Sequence, residues 1–130
     1  MPLFTITMRT GRHSGRKSEI SSAIHAASIS VGYPENDKFQ RFFSLDAEDL
    51  LIDPTYPGLP RPRTEDFLMV EILLSSGTDP DKKNRLRCEL LNQLNLAGVS
   101  PNDVMVLFTE LDRACSSYGN GALAPPVVAD

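Results

Sequence analysis

Apolar and polar residues alternate at two different periods along this chain, and the periods change at fixed places. Residues 3–8 (LFTITM) and 67–74 (FLMVEILL) are short β-rich runs, each closed soon afterwards by a glycine, Gly11 or Gly77, and both predict strands. Beyond the first, Ile20, Ala23, Ile24, Ala27 and Val31 recur at helical spacing. Beyond the second, Leu86, Leu90, Leu94 and Ala97 do so. Asp79 before Pro80 is a helix start, because an aspartate cap accepts an orphan amide and a proline in the first turn loses nothing. Gly32 and Gly98 mark the helix ends, where a left-handed residue costs glycine least. Strands are predicted again over Lys38–Leu45 and Val104–Leu111, each after an Asn-Asp pair.

The order strand, helix, strand is thus used twice, and a constant offset of 66 lays residues 4–46 over 70–112 without a gap. Ile6, Gly11, Lys17, Gly32, Asn36-Asp37, Phe42 and Leu45-Asp46 meet identical residues at that offset. These identities fall on the glycines and Asn-Asp pairs where elements start and stop. A right-handed crossover places each helix on one face of its strands. The expected architecture is therefore α+β: two tandem β-α-β units forming a four-stranded sheet with two helices on one face. Residues 1–130 read as a single domain, with units at 4–46 and 67–112. A connector at 47–66 and a C-terminal hairpin or tail at 113–130 complete it. The connector holds four of the ten prolines and both Arg61 and Arg63, which predicts an extended, stiff loop. Ser117-Tyr118-Gly119-Asn120-Gly121 is a turn signal, and Pro125-Pro126 is expected to fray. Helices on one side leave the other sheet face in want of cover, which implies oligomerisation.

Composition narrows the function. Thirteen basic and seventeen acidic residues give a net charge of −4, without the basic run that neutralises a phosphate backbone, so nucleic acid is not an expected partner. No stretch has the length of a membrane span or the pattern of a signal peptide, so neither a membrane nor an export route is expected and the cytoplasm is the expected location. Cys88 and Cys115 stand apart without a CxxC or Cys/His cluster, arguing against a zinc site or a disulfide framework. His13 reads as a turn residue and His25 as a helix-surface one.

No GxSxG, HExxH or phosphate loop is present. The chemistry that remains begins at Pro2. Removal of Met1 would leave a secondary amine as the chain terminus; desolvation lowers an amine's pKa, so such a nitrogen can serve as a base near neutral pH. If Met1 stays, the nitrogen is an amide and has no basic lone pair.

The opening PLFTITMRTGR resembles the first strand and turn of the tautomerase superfamily, with Pro2 at its proline and Gly11-Arg12 at its glycine-arginine pair. YPENDKFQ (33–40), SPNDVMVLFTEL (100–111) and SYGNG (117–121) resemble, in order, the malonate semialdehyde decarboxylase-like branch. The resemblance implies a homotrimer with sheets facing inward and no cofactor or metal. It further implies a tautomerase-like enzyme in which Pro2 moves a proton between carbon and oxygen of a small 2-keto or enol carboxylic acid. Asp37 matches the acidic residue that assists water activation or binds substrate, although an Asx turn explains both it and its copy Asp103. Arg12, Arg41 and Arg63 are the candidate carboxylate anchors. Each also has a plain reading: a solvated turn, an edge or subunit contact, a solubilised loop. Tyr118 is a candidate site-wall residue or a packing one. Where the decarboxylase pattern carries two arginines after the third strand, this chain has Ser76 and Thr78, and Ser116 replaces its tryptophan. A hydratase or decarboxylase of a small 3-oxo acid is therefore the alternative activity. Further alternatives are a non-catalytic trimeric scaffold or ligand binder and, last, a ferredoxin-like regulatory domain.

Overall fold

The computed structural model describes residues 1–126 of the chain. Strand β1 spans Leu3–Arg9, helix α1 Lys17–Ser30, β2 Phe39–Leu45, β3 Leu68–Ser75, α2 Pro80–Leu96 and β4 Val104–Leu111. Short 3-10 turns occupy Pro101–Asp103 and Arg113–Cys115. The sheet order is β2-β1-β3-β4, with β1 parallel to β2, β3 parallel to β4, and β1 antiparallel to β3. This is the expected α+β architecture.

The two units are related by a pseudo-two-fold axis that can be located from register. Thr5 and its counterpart Glu71 lie directly opposite each other on β1 and β3, so the axis passes between them. Every feature of the first unit consequently has a mate at the opposite end of the sheet.

Alternation decides which side chains meet the helices. Phe4, Ile6 and Met8 of β1 and Leu68, Val70, Ile72 and Leu74 of β3 are buried against Ile20, Ile24 and Ala27 of α1 and Leu86, Leu90 and Leu94 of α2. The opposite face has no helix among the described residues, and Phe39, Phe43 and Leu107 remain 40–46% exposed on it.

The helix ends follow the sequence. Asp79 accepts a hydrogen bond from the Asp81 amide at 2.8 Å, and Gly32 and Gly98 take φ of +106° and +91°. α1 begins at Lys17, earlier than its apolar stripe shows, with no side-chain cap at Arg16.

After β4 the chain does not form a paired-strand hairpin among the described residues. It closes through backbone bonds from the Ala122 amide to the Gly119 carbonyl at 3.3 Å and from the Ala124 amide to the Ser116 carbonyl at 3.0 Å, with Gly119, Asn120 and Gly121 all at positive φ. Pro125 and Pro126, expected to fray, lie against the wall of a cavity described below. Residues 127–130 of the expected tail lie outside the described ones. No helix among the described residues is long and apolar enough to cross a membrane.

Candidate functional site

The start of β1 and the start of β2 lie side by side because the strands are parallel, Leu3 facing Phe39. That register brings the chain's first residues next to the loop that enters β2, where Asp37 sits. The amine of Met1 lies 3.3 Å from Asp37 Oδ2, with both residues largely buried. The other oxygen, Oδ1, is buried without a hydrogen-bond partner among the described residues. Pro2 is buried immediately behind, on the helix side of the sheet by alternation.

Two cavities of about 260 Å³ each flank this point, and Met1 lines both. The first, on the helix side, is walled by Tyr33, Pro34, Asp37, Thr78 and Lys82, with Pro125 and Pro126 at its edge. The second is walled by Leu73, Leu111, Ser116 and Tyr118. Ser75 lines both as well.

Lys82 is the site residue that sequence reasoning missed. It is only 7% exposed, and its ammonium lies 4.3 Å from the centre of the Tyr33 ring. A signal was available, since Lys82 precedes Leu86, Leu90 and Leu94 at four-residue steps and so occupies the buried stripe of α2. Thr78, in the place where the decarboxylase pattern has an arginine, donates its hydroxyl to the Ser75 carbonyl at 2.7 Å.

The remaining candidates are dispersed. Tyr118 lines the second cavity and packs against Phe39, ring centres 6.3 Å apart. Arg41 lies on the helix-free face, where its Nε donates to Thr5 Oγ1 at 2.8 Å. Arg12 follows the far end of β1, about 20 Å from Pro2 for a strand of this length; its Nε meets Asp66 Oδ1 at 2.9 Å. Arg63 donates to the Asp53 carbonyl at 2.7 Å and lies over Phe67, whose neighbour Leu68 faces Met8 at that same far end. Within one chain, then, Asp37 and Tyr118 each border one of the two hollows that Met1 lines next to Pro2, Arg12 and Arg63 lie toward the far end of β1, and Arg41 lies on the opposite sheet face.

His25 meets the Glu35 carbonyl at 2.8 Å, and His13, although buried, meets the Asp66 carbonyl at 2.8 Å; both serve loops. Cys88 and Cys115 are exposed thiols.

The pseudo-two-fold mate of the site is built differently. Asp103, counterpart of Asp37, is 5% exposed and accepts from the Thr64 amide and hydroxyl at 2.8 and 2.7 Å. Arg61 reaches Ser100, and Asn102 donates to the Arg61 carbonyl. The connector therefore fills, beside the second unit, the place that is a cavity beside the first. Equivalent aspartates have different work: one latches a loop, the other faces the chain's amine and an open space.

The family model described as tautomerase enzyme matches residues 37–119. None of the curated proteins matches. Among solved structures, FG41 malonate semialdehyde decarboxylase inhibited by 3-bromopropiolate superposes with a TM-score of 0.82 at 25% identity, covering 92% of this chain and 91% of that one. Malonate semialdehyde decarboxylase in wild-type, mutant and inactivated forms, described in terms of decarboxylase and hydratase activities, gives 0.83 at 24% identity over 92% of both chains. A fused 4-OT wild-type symmetric trimer shares the fold, with a TM-score of 0.74 at 18% identity over 93% and 94%.

Proposed function

The chain belongs to the tautomerase enzyme family, and from that premise we propose that it moves a proton between carbon and oxygen of a small 2-keto or enol carboxylic acid, with the nitrogen of Pro2 as the base. The observation that carries the proposal is the pairing of the chain's amine with Asp37 beside a cavity. Removal of Met1 transfers the terminal amine to Pro2 and takes away a residue that lines both hollows. Burial then disfavours the charged amine, while the Asp37 carboxylate favours it. The balance of the two sets how much neutral base is present near pH 7.

In the forward step the neutral nitrogen takes the enol proton and returns a proton to the adjacent carbon, so the reaction is an isomerisation with no net proton change. Asp37, whose carboxylate faces the chain's amine, accepts from the protonated nitrogen and steadies its charge until the proton passes to carbon. Tyr118 bounds the second hollow.

Homotrimer assembly belongs to the same proposal. A second sheet face with exposed Phe39, Phe43 and Leu107 is suited to contact between copies. Any part that Arg12, Arg41 or Arg63 takes in holding substrate runs through such contacts.

Ketonisation of phenylenolpyruvate by protein beginning at Pro2, compared with Pro2→Ala, tests the reading. A loss of 100-fold or more, on the order expected for a general base, is the expected result; equal rates refute it. Intact-mass measurement establishes whether Met1 is removed, and its retention in the working protein favours a non-catalytic ligand binder instead.

A second reading, hydration or decarboxylation of a small 3-oxo acid, is favoured by one observation: Asp37 Oδ1, buried and without a hydrogen-bond partner among the described residues, is suited to hold a water. A protonated Pro2 would then act as the acid and Asp37 as the base for water. Carbon dioxide release from malonate semialdehyde separates the two.

A further inference from the structure

We propose that the folded chain withholds its own first residue from removal: Asp37 and β1 hold Met1 in place, so that the Met1–Pro2 bond is open to a methionine aminopeptidase only before β1 docks. A chain that folds with Met1 attached then keeps it, and its Pro2 nitrogen stays an amide. The inference rests on the catalytic reading above only in equating that form with an idle site.

Three observations fix Met1. Its amine lies 3.3 Å from Asp37 Oδ2, and its side chain is 14% exposed. Pro2 behind it is buried. Leu3 is already a paired residue of an inner strand, facing Phe39 on one side and Leu73 on the other. Only Met1 and Pro2 precede the clamped backbone, whereas an exopeptidase has to draw the terminal amine and the first peptide bond into its own active site. Susceptibility of a terminus follows the burial and bonding of its backbone, and a bond held in this way is cut from an opened state.

The repeat supplies an independent comparison. The offset of 66 lays Met1 over Phe67, which is 1% exposed, and Asp37 over Asp103, which accepts from the Thr64 amide and hydroxyl. In both units the aspartate ahead of the second strand holds the chain that enters the first. In the second unit that chain is the connector, and the latch serves structure. In the first it is the residue whose loss creates the secondary amine, so the same latch governs a covalent step. Hydrolysis breaks the bond between the Met1 carbonyl carbon and the Pro2 nitrogen; water gives its hydroxyl to the carbon and a proton to the nitrogen, and free methionine leaves.

Protein beginning at Met1, made by cell-free synthesis without aminopeptidase and then folded, tests the proposal when incubated with a purified methionine aminopeptidase. Intact mass follows the loss of methionine, and a peptide of residues 1–10 in the same tube gives the rate for an open terminus. Because cleavage tracks the population of the opened form, the folded chain is expected to lose methionine more than about 30-fold more slowly than the peptide. Any smaller difference overturns the proposal. Asp37→Ala is expected to speed excision from the folded chain about tenfold, as for loss of a charged hydrogen bond, and an unchanged rate overturns the part given to Asp37. Should Asp37→Ala fail to fold, Asp37→Asn takes its place under the same criterion. A resistant folded chain whose processed form ketonises equally well with Pro2→Ala sustains this inference while refuting the catalytic one; rapid excision with Pro2-dependent turnover refutes this inference alone.

Discussion

Two aspartates at equivalent places in a duplicated unit make the sharpest comparison at the scale of single residues. Asp103 is buried with two donors from Thr64, so removing its carboxylate strands those donors and frees the connector. Asp103→Ala is expected to cost about 2–3 kcal/mol and to lower the melting temperature by several degrees. Asp37 has its amine partner and an oxygen without a donor, so Asp37→Asn is expected to change the melting temperature by no more than about 2 °C, equivalent to less than about 1 kcal/mol. The same substitution is expected to lower turnover by about 10²-fold or more. Thermal melts and steady-state kinetics on the two variants check both halves; equal destabilisation with normal turnover in Asp37→Asn would remove its proposed part. The Asn-Asp repetition was legible in the chain, but the division of labour was not. An Asx turn accounted for both copies on paper, whereas the difference arises from Thr64, which reaches only Asp103.

Elements hold their places through a few terminal contacts. At φ +91°, Gly98 adopts a conformation an alanine strains to reach, and an added methyl group would come to 3.0 Å from the Arg16 guanidinium. Gly98→Ala is expected to cost about 1–2 kcal/mol and to displace Arg16 from the Ala97 carbonyl. Asp79→Ala removes a cap worth about 1 kcal/mol. Chemical denaturation measures each. In the connector, Asp53 accepts from the Tyr56 and Thr55 amides, and these bonds, with Arg63 nearby, hold its carboxyl below the ordinary 3.8. A carboxyl depressed in the folded chain contributes order that is present above pH 3.8 and is lost as pH falls through its folded value. Protection of the Tyr56 amide, taken relative to the exchange rate of an unstructured amide at the same pH, should therefore be present at neutral pH and diminish in acid below that point, and Asp53→Asn should weaken the dependence. Strands, helices and their glycine ends were readable from periodicity and punctuation. The connector's return to Asp103 was not, because hydrogen bonds between residues 39 positions apart leave no local pattern.

For the whole molecule the open question is the face that no helix covers. Phe39, Phe43 and Leu107 project from it alongside Arg41, which is joined to Thr5. If three copies bury this face together, Phe43→Glu places a charge in each contact and is expected to shift sedimentation from trimer to monomer at micromolar concentration. A parent protein that already sediments as a monomer would count against the assembly.

Periodicity and repetition in the chain were sufficient to determine two β-α-β units, their sheet, the buried stripes and a proline poised at the head of the first strand. They did so because local backbone preference and burial act over a few residues. Only tertiary structure decided that Asp37 meets the chain's amine, that the connector covers Asp103 while Asp37 borders a hollow, and that Lys82 lines that hollow. It also set Arg12 and Arg63 toward the far end of β1 and Arg41 on the sheet face opposite Pro2. Those outcomes depend on which strand ends lie side by side and on the reach of side chains between distant segments, and neither quantity is written in any short stretch of sequence.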